Sequence, residues 1–207
     1  MDPNFLITAF VALFVVIDPI GLAPLFVALT AGMTAARRRA IAIRATLVAI
    51  GILLVFSIFG EGILSFIGIS MPAFRIAGGI LLFITALDML FERRTKRREG
   101  QAEDDDNPED DPSVFPLAIP LIAGPGAIAT VILLVGQTDG PAGYFAVMGV
   151  LAAVLALVFA MFLSAAWIER MLGKTGITVV TRLLGMLLAA LSVQFVLDGL
   201  RGFGLGG

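Results

Sequence analysis

Ile17-Asp18-Pro19-Ile20-Gly21-Leu22-Ala23-Pro24 interrupts an apolar run that extends from Phe5 to Leu29. Pro19 and Pro24 each lack a backbone donor and crowd the carbonyl four residues back. Gly21 adds backbone freedom between them. Asp18 places a carboxyl group near the middle of the run, where a charge costs roughly 2.5–3.5 kcal/mol on membrane-insertion scales. Broken backbone at membrane depth is tolerated only where protein or a water-filled cavity covers it. The stretch from Asp18 to Pro24 therefore reads as an unwound helix at a polar site.

The remaining sequence supports a membrane setting. Of 207 residues, 59% are hydrophobic, with a mean hydropathy of +1.03. Six apolar runs fit spans of about 20 residues. They are Phe5–Leu29, Ala40–Phe59, Pro72–Phe91, Val114–Val135, Ala142–Trp167 and Thr178–Leu200. They lack the period-two alternation of barrel strands. The N-terminus has neither a basic region nor a small-residue cleavage site, so the first run is expected to stay as a span. With no Cys and no His, thiol or imidazole metal sites and disulfides are excluded, and any proton relay must use Asp or Glu. The net charge of −2 gives no reason to expect nucleic acid.

Residues 92–113 form a charged linker. A basic block through Arg98 precedes an acidic run that ends at Asp111, and such composition remains solvated. Six spans put twelve Lys and Arg on one side, with only Arg75 and Arg201 on the other. The positive-inside rule then places the linker in the cytoplasm and both termini outside.

Residues 1–91 and 114–207 read as two copies of a three-span unit. Asp18-Pro19-Ile20-Gly21 is answered by Gly124-Pro125-Gly126-Ala127, with Pro125 106 residues after Pro19. Arg75-Ile76-Ala77-Gly78 is answered by Arg182-Leu183-Leu184-Gly185, at an offset of 107. An odd number of spans per unit inverts the second copy. The expected fold is all-α: six transmembrane helices in two inverted repeats, with helices 1 and 4 broken near the midplane. At 1.5 Å per residue the breaks lie about 20 and 15 Å into the layer. Inverted repeats with interrupted first helices point to a transporter whose site lies between the repeats.

A broken helix exposes amides that attract a carboxylate and carbonyls that attract a cation. With Asp18 added, the site suits a zwitterion. Asp18, Pro19, Gly21, Gly124, Pro125, Gly126 and Ala127 are the expected substrate-binding residues. Asp18 would meet the amine or a coupling cation. The amides around Gly21, Gly124 and Gly126 would meet the carboxylate. Thr130, Ser192 and Gln194 could add polar contacts if they face inward. Arg75 and Arg182 are read as gating or structural charges, with Glu61 and Glu169 as expected partners. Asp88 and Asp198, near span ends, are read as structural, and Tyr144 and Trp167 as interfacial residues.

At these residues the chain resembles the MarC family of bacterial and archaeal inner-membrane proteins, also called the neutral amino acid transporter family. The resemblance rests on three stretches, Phe14 to Phe26, Phe74 to Phe83 and Phe115 to Ile128. It implies transport of small neutral amino acids such as glycine or alanine by a six-span protein of the cytoplasmic membrane. No cofactor or metal is expected. Protons and sodium are equally open as the coupling ion. The alternatives are a passive channel, an exporter of another small metabolite, and a scaffold that transports nothing. An intramembrane enzyme has little support, because no base or second acid stands beside Asp18. Direction and oligomeric state are not encoded in these motifs.

Overall fold

The computed structural model describes residues 3–93 and 111–204. All regular structure among them is helical. Most of the charged linker, residues 94–110, lies outside the described residues, and so does its expected solvation.

The first span consists of α1 (Pro3–Ile17) and α2 (Pro19–Leu29), which meet at Asp18. The expected unwinding to Pro24 is corrected to one residue, because α2 runs on through Pro24. The second span, α3 (Ala35–Phe66), is longer than the apolar run that suggested it. Thr34 caps it by accepting from the Arg37 amide, and Gly60 and Gly62 do not stop it. The third span is α4 (Met71–Leu90), capped by Ser70 with Pro72 in its first turn. A helical run, α7 (Gly140–Gly202), turns at Gly173, where φ is 59°. It supplies the fifth span, Gly140–Ile168, and the sixth, Arg170–Gly202.

The fourth span departs most from a simple helix. Its first part, α5 (Ser113–Ile122), carries wide turns in which Leu117 N–H donates to Pro112 O and Ala123 N–H to Ala118 O. Phe115 and Ile119 are extended (φ −122° and −125°). Each precedes a proline, which pushes the residue before it out of the helical region. The depth expected for Gly124, taken from helical rise, therefore does not apply. After Gly124 the regular helix α6 (Pro125–Val135) follows, bent 54° from α5.

Contacts with α3 fit this bent pair as one broken span. Asp111, just before α5, pairs with Arg44 near the start of α3. Ile132 in α6 packs against Gly60 near the end of α3, where an added Cβ would lie 2.5 Å from the Ile132 side chain. Residues 44 to 60 of α3 rise about 24 Å. The bent pair follows α3 over that distance, and counted as one span it brings the candidate spans among the described residues to six.

The Arg44–Asp111 pair fastens the linker's end to α3. Partial burial pushes the Asp111 carboxyl up, but the Ser113 side, whose backbone N–H donates to Asp111 Oδ1 at 3.0 Å, and the charges of Arg44 and Arg37 outweigh it. The net effect holds the carboxyl below its ordinary value. A depressed folded pKa contributes stability above the unfolded value, and that stability is lost as pH falls through the folded one. Both side chains are well exposed, so the effect is small, within about 1 kcal/mol. Arg44→Gln is expected to lower the melting temperature slightly at pH 7 and by less at pH 3, as the Asp111 carboxyl begins to protonate. Equal effects at both pH values would count against the pair.

The packing between the halves is reciprocal. Phe26 of α2 stacks on Phe162 of the fifth span, with ring centroids 4.5 Å apart. Ile132 of α6, 106 residues after Phe26, packs on the second span. The third and sixth spans lie antiparallel and close. A Cβ on Gly79 would sit 2.8 Å from Ser192 O, one on Gly185 3.0 Å from Met89 Cβ, and one on Gly199 2.6 Å from Ile76 Cγ1. In lipid, small residues at such contacts allow backbones to approach.

Candidate functional site

Asp18 adopts the left-handed conformation, φ 58° and ψ 64°. Asp and Asn tolerate this region better than other side chains. Its own N–H still bonds Phe14 O at 2.9 Å, and its carbonyl accepts from Leu22 N–H at 3.0 Å. The helix is therefore interrupted without the chain leaving its path. Pro19 follows at the first helical position, where its missing donor is harmless. Asp18 is 1% exposed, and its Oδ1 accepts from the Gly21 N–H at 3.0 Å. A side chain at position 21 would displace this cap, since a Cβ would lie 2.2 Å from Asp18 Oδ2. The first break is thus capped by its own carboxylate. The Gly21 amide, expected to meet a substrate carboxylate, is instead taken by Asp18.

The second break has the opposite character. Gly124 precedes α6 in an extended conformation, and no side chain caps the helix. Ile128 N–H returns to Gly124 O at 3.0 Å. The first-turn amides at Gly126 and Ala127 have no acceptor within the helix. They carry the partial positive charge of its start. Gly124 admits no side chain, because a Cβ would lie 2.5 Å from Pro120 O.

The two breaks are brought together. A Cβ at Gly126 would lie 3.2 Å from Val16 Cγ1, two residues before Asp18. The same position is 3.5 Å from Leu82 Cδ2 and 4.0 Å from Thr85 Oγ1. Thr130 is buried close by, with its hydroxyl donating to Gly126 O at 2.8 Å. A buried carboxylate and an uncapped helix start therefore share one interior region, with small residues and two hydroxyls around them.

This arrangement lies within a chain whose relatives are recognisable. The family model described as "MarC family integral membrane protein" matches residues 3–203. The chain belongs to the MarC family. The Bacillus subtilis membrane protein YvbG is 42% identical over 201 residues, covering 96% of this chain and 95% of that protein. The Methanocaldococcus jannaschii membrane protein MJ1677 is 36% identical over 205 residues, covering 98% of each. The Escherichia coli inner membrane protein YhgN is 36% identical over 200 residues, covering 96% and 97%. No solved structure matches the chain.

Other residues of this MarC protein fall away from the breaks or take unforeseen partners. Ser192 is buried in the contact of the third and sixth spans, its hydroxyl bonded to Ala189 O. Gln194 donates to Asp198 at 2.8 Å, so its amide is engaged within its own helix. Arg182 pairs with Glu92 at 2.5 Å, a partner the sequence did not suggest, and the Glu169 side chain lies outside the described residues. The expected Arg75–Glu61 pair is not formed: Glu61 is exposed, and Arg75 Nε is buried without a hydrogen-bond partner. Asp88 is buried, and Asp198 also accepts from Arg201. Tyr144 meets Ser57, their oxygens 3.0 Å apart.

Thr85 escaped sequence reasoning, although a signal was present. It follows Arg75 by ten residues, as Ser192 follows Arg182. A groove of about 500 Å³ between α3 and the fifth span is a poor alternative site for a polar ligand. It is lined by apolar side chains such as Leu47, Leu54 and Phe159, and its one hydroxyl, Thr46, is bonded to Ala42 O. Its chemistry is that of a lipid-facing surface.

Proposed function

We propose that this MarC-family protein is a secondary transporter of small neutral amino acids, such as glycine or alanine, working by alternating access. The observation that carries the reading is the meeting of the two breaks. The buried Asp18 carboxylate attracts an ammonium group, and the uncapped start of α6 attracts a carboxylate. The residues around them, among them Gly124, Gly126, Ala127 and Ala129, are small, which suits a small ligand. Because the Gly21 amide serves Asp18, the carboxylate is assigned to the Gly126 and Ala127 amides. The reciprocal packing of the halves supports an inverted repeat, in which the units rock against each other around the site.

The protein sits in the cytoplasmic membrane in this reading, in keeping with the inner membrane named for YhgN. The basic residues face the cytoplasm and both termini face outward. The driving ion is a proton or sodium, and Asp18 is the buried acid at the site that would respond to either.

Reconstituted in proteoliposomes, the protein is expected to take up radiolabelled glycine or alanine saturably under an imposed proton or sodium gradient. Uptake that equilibrates but never accumulates substrate would replace the carrier with a channel. No uptake of either amino acid by folded protein would refute the assigned substrate.

A further inference from the structure

We infer that Arg75 and Asp198 are the outer counterpart of the Arg182–Glu92 ion pair, the two pairs closing opposite ends of the transport path in turn. The inference rests on the alternating-access reading above. It begins with an asymmetry. Arg75 and Arg182 occupy matching places, each three residues before a glycine in the third or sixth span. Arg182 is paired with Glu92, at the end of the third span. Arg75 Nε is buried with no partner.

The repeat indicates where the missing partner lies. Asp198 follows Glu92 by 106 residues, the offset that relates Pro125 to Pro19. A bond from Arg182 of the sixth span to the end of the third maps onto one from Arg75 of the third span to the end of the sixth. That second bond would join Arg75 to Asp198. The packing brings the two within range. Gly199 lies against Ile76 and Pro72, and Gly202 against Pro72. Where two antiparallel right-handed helices meet at residues 76 and 199, the preceding residues turn to the same flank of the pair. Those residues are Arg75 and Asp198.

In this structure Asp198 is held by Gln194 and, at 3.1 Å, by Arg201. Arg201 and Asp198 belong to one helix, so their contact spans no barrier. Exchanging Arg201 for Arg75 ties the third span to the sixth at the outer end. The inner pair is made here and the outer pair is not, as expected of one member of an alternating cycle. Partly exposed ion pairs suit this role, since each is weak enough to be exchanged for the other.

The test uses side-specific labelling. The chain has no cysteine, so Ala127→Cys supplies the sole thiol. Ala127 is 2% exposed, and its reaction with a membrane-impermeant maleimide reports opening of the path. Labelling is compared in right-side-out and inside-out vesicles. Arg182→Gln should raise the rate from the cytoplasmic side about threefold or more, the scale set by losing a partly exposed pair. Asp198→Asn or Arg75→Gln should raise the rate from the outer side and lower it from the inner. Arg75→Asp combined with Asp198→Arg should restore the wild-type ratio, which a merely structural role would not do. Single changes without a side-specific effect, or a double exchange no better than the singles, would overturn the pairing. Amino-acid uptake is measured in parallel on the same gate variants in the natural cysteine-free chain, with Ala127 in place. A labelling pattern as expected with no uptake would refute the substrate and keep the gates. Uptake without the pattern would refute the gates alone.

Discussion

Asp18→Asn is expected to leave the protein folded while raising the concentration of glycine or alanine needed for half-maximal uptake roughly thirtyfold or more. Asparagine tolerates the left-handed conformation of residue 18 as well as aspartate does. Its side-chain oxygen can accept the Gly21 N–H in place of the carboxylate. The substitution therefore keeps the cap and removes the charge. Truncating one partner of a buried charge pair costs about 2 kcal/mol or more, which corresponds to that loss of affinity. Asp18→Ala should behave differently. It removes the cap, at about 1 kcal/mol. It also forces alanine into a left-handed conformation that costs about 1–2 kcal/mol. A lower melting temperature in detergent and poor yield are expected for alanine, and not for asparagine. Unchanged uptake affinity in folded Asp18→Asn would remove the carboxylate from the site. Loss of stability in Asp18→Asn as large as in the alanine variant would show that the charge itself holds the break.

Gly79→Val should be the most damaging single change to the fold away from the breaks. Its Cβ would meet Ser192 O at 2.8 Å and Val196 N at 3.1 Å. Both are backbone atoms of the sixth span, so relief requires separating two helices rather than turning a side chain. Overpacking a close contact typically costs about 1–3 kcal/mol. The third and sixth spans touch through Gly185 and Gly199 as well, so separation at one point loosens the whole seam. Gly51→Ala is the matched control. Nothing lies within 4 Å of a Cβ there, and alanine favours the helix by about 0.5–1 kcal/mol. Thermal unfolding in detergent should show a clear fall for Gly79→Val and none for Gly51→Ala. Similar melting temperatures for Gly79→Val and wild type would mean the seam is looser than it appears.

The sequence was most informative where the bilayer leaves the chain no choice. Backbone groups in hydrocarbon must bond within their own segment, so six long apolar runs imply six helical crossings. Asp18 and Gly124 stood out because a carboxylate and paired Gly-Pro breaks are costly there unless they serve a purpose. The arrangement of the third and sixth spans was partly visible in the repeated Arg-x-x-Gly, although its hydroxyl extension to Thr85 and Ser192 passed unnoticed.

Span shape and partner choice were less legible. The two prolines of α5 each push their predecessor into an extended conformation, and their combined effect on the path depends on what α3 packs against. Arg75 and Glu61 were paired because both fall on the outer side, yet Glu61 is exposed and Arg75 Nε is buried.

From the sequence alone came the membrane setting, the six apolar runs and the two breaks, because each follows from local composition and from what lipid forbids. Only the tertiary structure decided that the Gly21 amide belongs to Asp18, that α6 begins uncapped beside Val16, and that Arg182 has a partner while Arg75 Nε does not. Those facts depend on which way a side chain turns and which helix lies opposite, and both are set by packing between segments far apart in the chain.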